Sequence, residues 1–386
     1  MTHSTCLPTS GPWAEIDRAA ITHNLNWLKQ RLPPSSPGQR TRLWAIVKAD
    51  AYGHGLVHAL AALQDADGLG VTTLDDALRL RSQGWTKPLL LLSAAGVPAD
   101  ALADPALGEL HLVIDEVTQL EQLESATRRP GTGTLRAWLR HAGRLSHLGF
   151  DALDYAAGFR RLQALKAQGR IAEAGHLHHY AAAEDPESLV QERQEFARLI
   201  EGLPGPHCTG NSAALCGPLP EPLHPGGHWL RCGLLLYGAS ALPGATGAQL
   251  GLRPAMSLRA RLVALRPIRA GQSVGYGDSY RAARDTWIGT VGMGYSHGLP
   301  RGLWERGRVR VGEAERIVPL AGRVAMDCFS VDLGPAPREQ VGDLVTLWGQ
   351  APGGSALPVE TVAEACGTIA AELFTRLTAR LPLRAI

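Results

Sequence analysis

Leu43-Trp44-Ala45-Ile46-Val47-Lys48-Ala49-Asp50-Ala51-Tyr52-Gly53-His54-Gly55 is an apolar run that closes on a lysine and then breaks into a glycine-rich turn. It reads as a short buried strand, Leu43–Lys48, followed by a loop. Seven similar runs follow: Leu69–Thr73, Leu89–Ser93, Leu110–Ile114, Leu135–Arg140, Ala174–Ala181, Pro206–Asn211 and Trp229–Leu236. Helical patterns fill the gaps. Leu74–Gln83 is bounded by Gly84, and Val117–Thr127 follows Asp115 as N-cap. Tyr155–Gln168 ends at Gly169, and Pro186–Ile200 opens on Asp185-Pro186, a capping residue with proline at the first helical position. Eight strands alternating with helices is the pattern of an α/β fold, a (β/α)8 TIM-type barrel, with an open doubly wound sheet as the rival.

Beyond about Ser240 the texture changes. Glycine and proline become frequent, helical periodicity fades, and short β-rich runs appear: Ser257–Ala264, Trp287–Val291, Arg308–Val311, Arg316–Pro319, Cys328–Asp332 and Leu344–Trp348. A C-terminal mainly-β domain is expected, closed by one last helix over Thr361–Leu377. The glycines of Pro243–Gly251 set the boundary, giving a barrel over 1–245 and a β domain over 246–386. Pro33–Gly38 reads as a surface loop.

A chain of 386 residues with 45% apolar and 19% charged residues can bury large cores. Lys+Arg is 38 and Asp+Glu is 36, a net charge of +2, which argues against a nucleic-acid binder. Met1–Trp13 shows no signal-peptide pattern, and no apolar stretch is long enough for a bilayer, so a cytoplasmic protein with no membrane partner is expected. Six cysteines without a Cys-x-x-Cys pair argue against a disulfide scaffold or zinc knuckle.

Lys48 is the first sign of chemistry. An ammonium is costly to bury without a partner, and the C-terminal mouth of a barrel is where such folds keep their reactive groups. Burial lowers a lysine pKa and makes the amine a nucleophile suited to a Schiff base. Position alone equally fits a lysine snorkelling to solvent. Tyr52 and the glycines beside it tilt the reading, because glycine lets backbone approach a ligand and a phenol can donate to an anion. His176-Leu177-His178-His179 alternates along a strand, and a metal held by His176 and His178 is a separate possibility.

The stretch Val47–Gly55 resembles the lysine signature of fold-type III pyridoxal-phosphate enzymes, the alanine racemase family in particular. Other segments match in order. Trp13-Ala14-Glu15-Ile16-Asp17 with Asn24-Leu25 resembles the family's opening, which there joins the β domain, as the first 17 or so residues are expected to do here. Asn211-Ser212-Ala213-Ala214 is similar to its phosphate turn, and Arg231-Cys232-Gly233 with Tyr237-Gly238 to its eighth-strand motif. Val274-Gly275-Tyr276-Gly277, Gly292-Met293-Gly294-Tyr295 and Gly322-Arg323-Val324-Ala325-Met326-Asp327 resemble three further segments.

The resemblance implies roles. Lys48 carries pyridoxal 5'-phosphate as a Schiff base. Tyr52, Asn211, Ser212 and Gly233 surround its phosphate, at the loops where barrels commonly bind phosphate. Arg231 faces the ring nitrogen; a guanidinium only donates, so that nitrogen stays unprotonated and the carbanion short-lived. His179 stacks near the ring and links Arg231 to Tyr276. Lys48 serves one face of Cα as base for the D enantiomer, and Tyr276, lent by a second subunit, serves the other for the L enantiomer. A homodimer with shared sites follows, with Met326 and Tyr295 bordering the substrate carboxylate.

Three places depart from the family. Its Lys-x-Asp-Thr-Gly-Met run ending in Arg-Leu-Gly is here Arg140-His141-Ala142-Gly143-Arg144-Leu145-Ser146-His147-Leu148-Gly149. Direct matching puts His147 at the carboxylate-side arginine and Arg140 at a lysine that is usually carbamylated; a shifted register offers Arg144 instead. Ala371 stands where a tyrosine usually reaches the phosphate, a lost bond worth roughly 1.5–3 kcal/mol. His297 replaces an aspartate. The expectation is an alanine racemase without metal. The alternatives are a family member acting on serine or a larger amino acid, and a weakly catalytic cofactor-binding protein.

Overall fold

The computed structural model describes residues 11–32, 41–98, 101–125, 134–217, 227–354 and 356–386. The surface loop expected at Pro33–Gly38, Cys6 and the last two residues of the helix expected at Val117–Thr127 lie outside them.

The first strand, β1 (Trp13–Ile16), leads into a helix, Arg18–Arg31, whose Asp17 side chain accepts from the Ala20 N–H as an N-cap. Eight parallel strands then close a barrel: β2 (Arg42–Ile46), β3 (Gly68–Val71), β4 (Leu89–Leu91), β5 (Leu110–Ile114), β6 (Leu135–His141), β7 (Glu173–His178), β8 (His207–Thr209) and β9 (His228–Cys232). β2 pairs with β9, so the sheet has no free edge. The open-sheet alternative is thereby removed. Six runs end earlier than their apolar pattern, most of all Ala174–Ala181, where β7 stops at His178, and Trp229–Leu236, where β9 stops at Cys232 and Leu234–Tyr237 is a 3-10 turn.

Alternation along each strand sorts the side chains. Leu43 and Ala45 face the helices, whereas Trp44 and Ile46 face the barrel axis beside Leu90, Val113, Trp138, Leu177, Cys208 and Trp229. Trp44 stacks on Trp229 at 4.0 Å, and the Trp138 indole donates to His111 Nδ1 at 3.0 Å. These rings fill the barrel interior, and Gly68 makes room: a Cβ there would lie 2.2 Å from the Trp44 ring. One step further along the same inward face come Lys48, Arg140, His179 and Arg231, at the C-terminal mouth.

The second unit is a nine-stranded sheet in which β1 lies between the long strand β10 (Met256–Ile268) and the C-terminal strand Leu383–Ala385. The strands Thr286–Val291, Arg308–Val311, Arg316–Pro319, Phe329–Gly334 and Leu344–Gln350, each within two residues of an expected run, complete most of it. The single closing helix expected over Thr361–Leu377 is instead two, Val359–Ala365 and Ala370–Thr375. Gly367 adopts φ +66° between them, a conformation that ends a helix. Among the described residues no helix is long and apolar enough to cross a membrane.

Candidate active site

Lys48 follows β2, and the backbone after it is strained. Ala49, Asp50, Ala51 and Tyr52 all have φ between 52° and 58°, one turn of left-handed helix. L-residues resist this by roughly 1–2 kcal/mol each. The turn is held by a backbone bond from Ala51 N–H to the Val47 carbonyl, by one from Gly53 N–H to the Ala49 carbonyl, and by the Asp50 carboxylate, which accepts from the Leu56 N–H at 2.9 Å. Strain of this kind gathers where a fold must aim a side chain. Here it turns the Tyr52 ring back against Gly233, whose hypothetical Cβ would lie 2.3 Å from the Tyr52 hydroxyl. Only glycine at 233 admits the phenol.

Lys48, Tyr52, Arg140, His147, His179, Asn211, Ser212, Arg231 and Gly233 line one cavity of about 610 Å³ at the barrel mouth. The Lys48 side chain is open to solvent through it, yet the walls remove enough water to hold its amine below the usual lysine range, with Arg140 and Arg231 adding repulsion. Arg231 is buried, and both of its Nη atoms are engaged. It donates to the Cys208 carbonyl at 2.8 Å and sulfur at 3.1 Å, to the His178 carbonyl at 2.7 Å, and contacts His179 Nδ1 at 3.3 Å. A guanidinium only donates, so His179 Nδ1 accepts and the ring's proton sits on Nε2. Burial, then the charges of Arg231, Arg140 and Lys48, push the His179 pKa down to about 3, so the ring is neutral. The residues expected on the phosphate side form a turn after β8. The Asn211 side chain accepts from the Ala214 N–H and donates to the Tyr180 carbonyl, and Ser212 Oγ accepts from the Gly233 N–H at 3.2 Å.

Two expectations change. Arg144 does not reach this cavity; it pairs with Glu195 at 2.9 Å and lines a neighbouring cavity of about 560 Å³ with Glu192 and Asp151. His147 remains at the rim. His176 and His178 turn away from the mouth toward the helix layer. His176 contacts the Tyr155 hydroxyl and the Leu203 carbonyl, and His178 stacks on Phe196 beside Glu192. Among the described residues no three metal-ligating side chains gather.

Tyr276, Tyr295 and Met326 lie in the β domain, exposed by 69%, 41% and 54%, and none of them lines the cavity of the same chain. Tyr295 and Met326 share one surface, joined by Tyr295 N–H to the Ala325 carbonyl and Ser296 N–H to the Met326 carbonyl. His297 is buried and its Nδ1 accepts from the Gly294 N–H at 3.2 Å, so it braces its own turn. Arg140, which motif matching set at the place of a usually carbamylated lysine without giving it a role, lines the cavity. Its signal was parity: it stands two residues beyond the inward-facing Trp138. Ala371, from the helix Ala370–Thr375, also reaches the cavity wall.

A closed parallel barrel whose Lys48 amine, Arg231 and the Tyr52 and Ser212 hydroxyls line one cavity at the strands' C-terminal ends, joined to a mainly-β domain, defines a two-domain barrel enzyme. Residues 16–241 match the model of the alanine racemase N-terminal domain, and residues 255–385 that of the alanine racemase C-terminal domain. The chain is 41% identical over 374 residues to the alanine racemase of Shewanella piezotolerans, covering 96% of this chain and 98% of that one. It is 39% identical over 375 residues to the biosynthetic alanine racemase of Escherichia coli, covering 96% of this chain and 97% of that one. The biosynthetic alanine racemase of Pseudomonas aeruginosa superposes with a TM-score of 0.84 at 36% identity, covering 98% of this chain and all of that one. The chain belongs to the alanine racemase family.

Proposed function

We propose that the protein is a homodimeric, pyridoxal-phosphate-dependent racemase that interconverts L- and D-alanine. The observation that carries this reading is the shared cavity: the Lys48 amine opens into the space that Arg231 and the Tyr52–Ser212–Gly233 cradle also line. The residues fit the cofactor. The Tyr52 hydroxyl occupies the place of a side chain at Gly233, whose N–H meets Ser212 Oγ, so both hydroxyls gather at one glycine as donors for an anionic phosphate. When bound, pyridoxal phosphate supplies a conjugated ring that accepts electrons from Cα.

The chain's own residues do the rest. Lys48 Nζ, its pKa already lowered, would hold the cofactor's aldehyde carbon, and its amine is placed to move the proton on one face of Cα as the base for the D enantiomer. Tyr276 Oη serves the opposite face as base for the L enantiomer. Its exposure and its absence from the cavity of its own chain support delivery from the partner subunit, with Tyr295 and the Met326 backbone arriving beside it. Arg231, which can only donate, would face the ring nitrogen, and His179 presents its Nε2–H from the cavity wall. With the barrel taken as 1–245 and the β domain as 246–386, each site is built from the barrel of one subunit and the β domain of the other. A cytoplasmic setting goes with this reading, supported by five free cysteines among the described residues.

The test is incubation with L-alanine in heavy water. Deuterium at Cα together with D-alanine is the expected result, and borohydride should leave a pyridoxyl group on Lys48. A holoprotein that exchanges Cα only of serine or a larger amino acid would overturn the substrate; no adduct on Lys48 would overturn the reading as a whole.

A further inference from the structure

Three cationic side chains line the cavity: Lys48, Arg140 and Arg231. The reading above commits Lys48 to the cofactor. Arg231 spends both Nη atoms on the Cys208 and His178 carbonyls and on His179, and the same reading turns it to the cofactor ring. Arg140 is different. Among the described residues its guanidinium bonds one side chain only, through Nη1 to Asp115 Oδ1 at a long 3.4 Å, and its buried Nε–H has no partner. A guanidinium carries five N–H donors, so most of Arg140's are unused. Asp115 is itself immobile. Its side chain is fully buried, its N–H donates to Gln119 Oε1 at 2.7 Å, and its carbonyl accepts from the Gly149 N–H at 3.0 Å. The result is a charge fixed in place and short of acceptors, two residues beyond the barrel-filling Trp138.

We propose that Arg140 binds the α-carboxylate of the amino-acid substrate, and that Asp115 positions it for this. The assignment rests on the racemase reading. It relocates the carboxylate contact from the rim, where exposed His147 stands, to the cavity wall. A planar guanidinium matches a carboxylate with paired N–H bonds, which an imidazole at the solvent edge cannot supply.

The experiment uses the holoenzyme, its Arg140→Met, Arg140→Lys and His147→Ala variants, and two probes: acetate, which has a carboxylate and no amine, and ethylamine, which has an amine and no carboxylate. In Arg140→Met the acetate inhibition constant and the KM for both alanine enantiomers should rise about 10- to 100-fold. The ethylamine-induced change in the cofactor's absorption should keep its midpoint within about threefold. Arg140→Lys keeps a cation beside Asp115 and covers the case in which Arg140→Met does not fold; it should raise the acetate constant by about 3- to 10-fold. His147→Ala should leave it within about twofold. Acetate constants unmoved in the Arg140 variants, or moved only in His147→Ala, overturn the proposal while the Lys48 adduct leaves the racemase reading standing. An unmodified enzyme with no Lys48 adduct removes both.

Discussion

At the scale of single residues, the site works by withholding alternatives. Arg231 cannot accept a hydrogen bond, so His179 must, and its tautomer is thereby set. Gly233 cannot be anything larger, because the Tyr52 hydroxyl occupies the place of a side chain. Gly233→Ala should therefore push the phenol out of the cradle and weaken pyridoxal-phosphate binding by about tenfold or more, read by titrating the apoprotein with cofactor. Tyr276→Phe keeps the ring and removes the proton carrier. It should leave the cofactor's absorption and the Lys48 adduct intact while slowing racemisation by about 10²- to 10⁴-fold. Tyr276→Phe with undiminished turnover would remove the phenol from the mechanism.

At the scale of elements, the turn after Lys48 stands out. Four consecutive non-glycine residues in left-handed conformation are a local cost that the surrounding fold offsets. Ala49 is exposed, so glycine there removes backbone strain without opening a core cavity. Ala49→Gly should stabilise the protein by up to about 1 kcal/mol, the strain relief exceeding the added entropy of the unfolded chain. Urea unfolding measures it, and destabilisation would mean that the turn carries little strain. The same turn explains a limit of pattern reading. Lys48 to Tyr52 contains two alanines, good formers of ordinary helix, and nothing local announces the opposite hand. Contacts with Gly233 and with the backbone around Phe374, against which Gly53 packs, lie hundreds of residues away. The C-terminal helix fails in the converse way: its apolar pattern runs through Gly367, and the break is set by one residue's positive φ.

At the scale of the whole molecule, two consequences follow. If each site takes Lys48 from one subunit and Tyr276 from the other, inactive Lys48→Ala and Tyr276→Phe dimers mixed under exchange should recover activity. Random reassortment puts one intact site in half of the dimers, about a quarter of full activity. Recovery of none would mean that both bases come from one chain. Acid should also weaken the fold early. His54 and His228 are buried, and burial pushes each pKa down to about 4. A histidine with a folded pKa below its unfolded value near 6.5 stabilises the native state above that value. The stability is lost as pH falls toward 4, because the unfolded chain takes the proton first. His54 alone accounts for about 3 kcal/mol. Urea midpoints should be flat from pH 8 to 7 and fall between pH 6.5 and 4; a midpoint unchanged at pH 4.5 would contradict the buried neutral rings.

Eight apolar runs, their helical spacers and the glycine-rich second half were enough to favour a barrel over an open sheet and to mark a β domain, because burial repeats along a chain with the period of its secondary structure. The same alternation that places Trp44 and Ile46 inside the barrel carries Lys48 to its mouth. What local order could not decide was partnership. Arg140 meets Asp115 across 25 residues through the register of β5 with β6, and Arg144, four residues further on, leaves with Glu195. His176 and His178 face helices rather than a metal because the cavity lies on the other side of their strand. Which face of a strand is the working face, and which charge answers which, depends on the closure of the barrel, and closure is a property of all eight strands together.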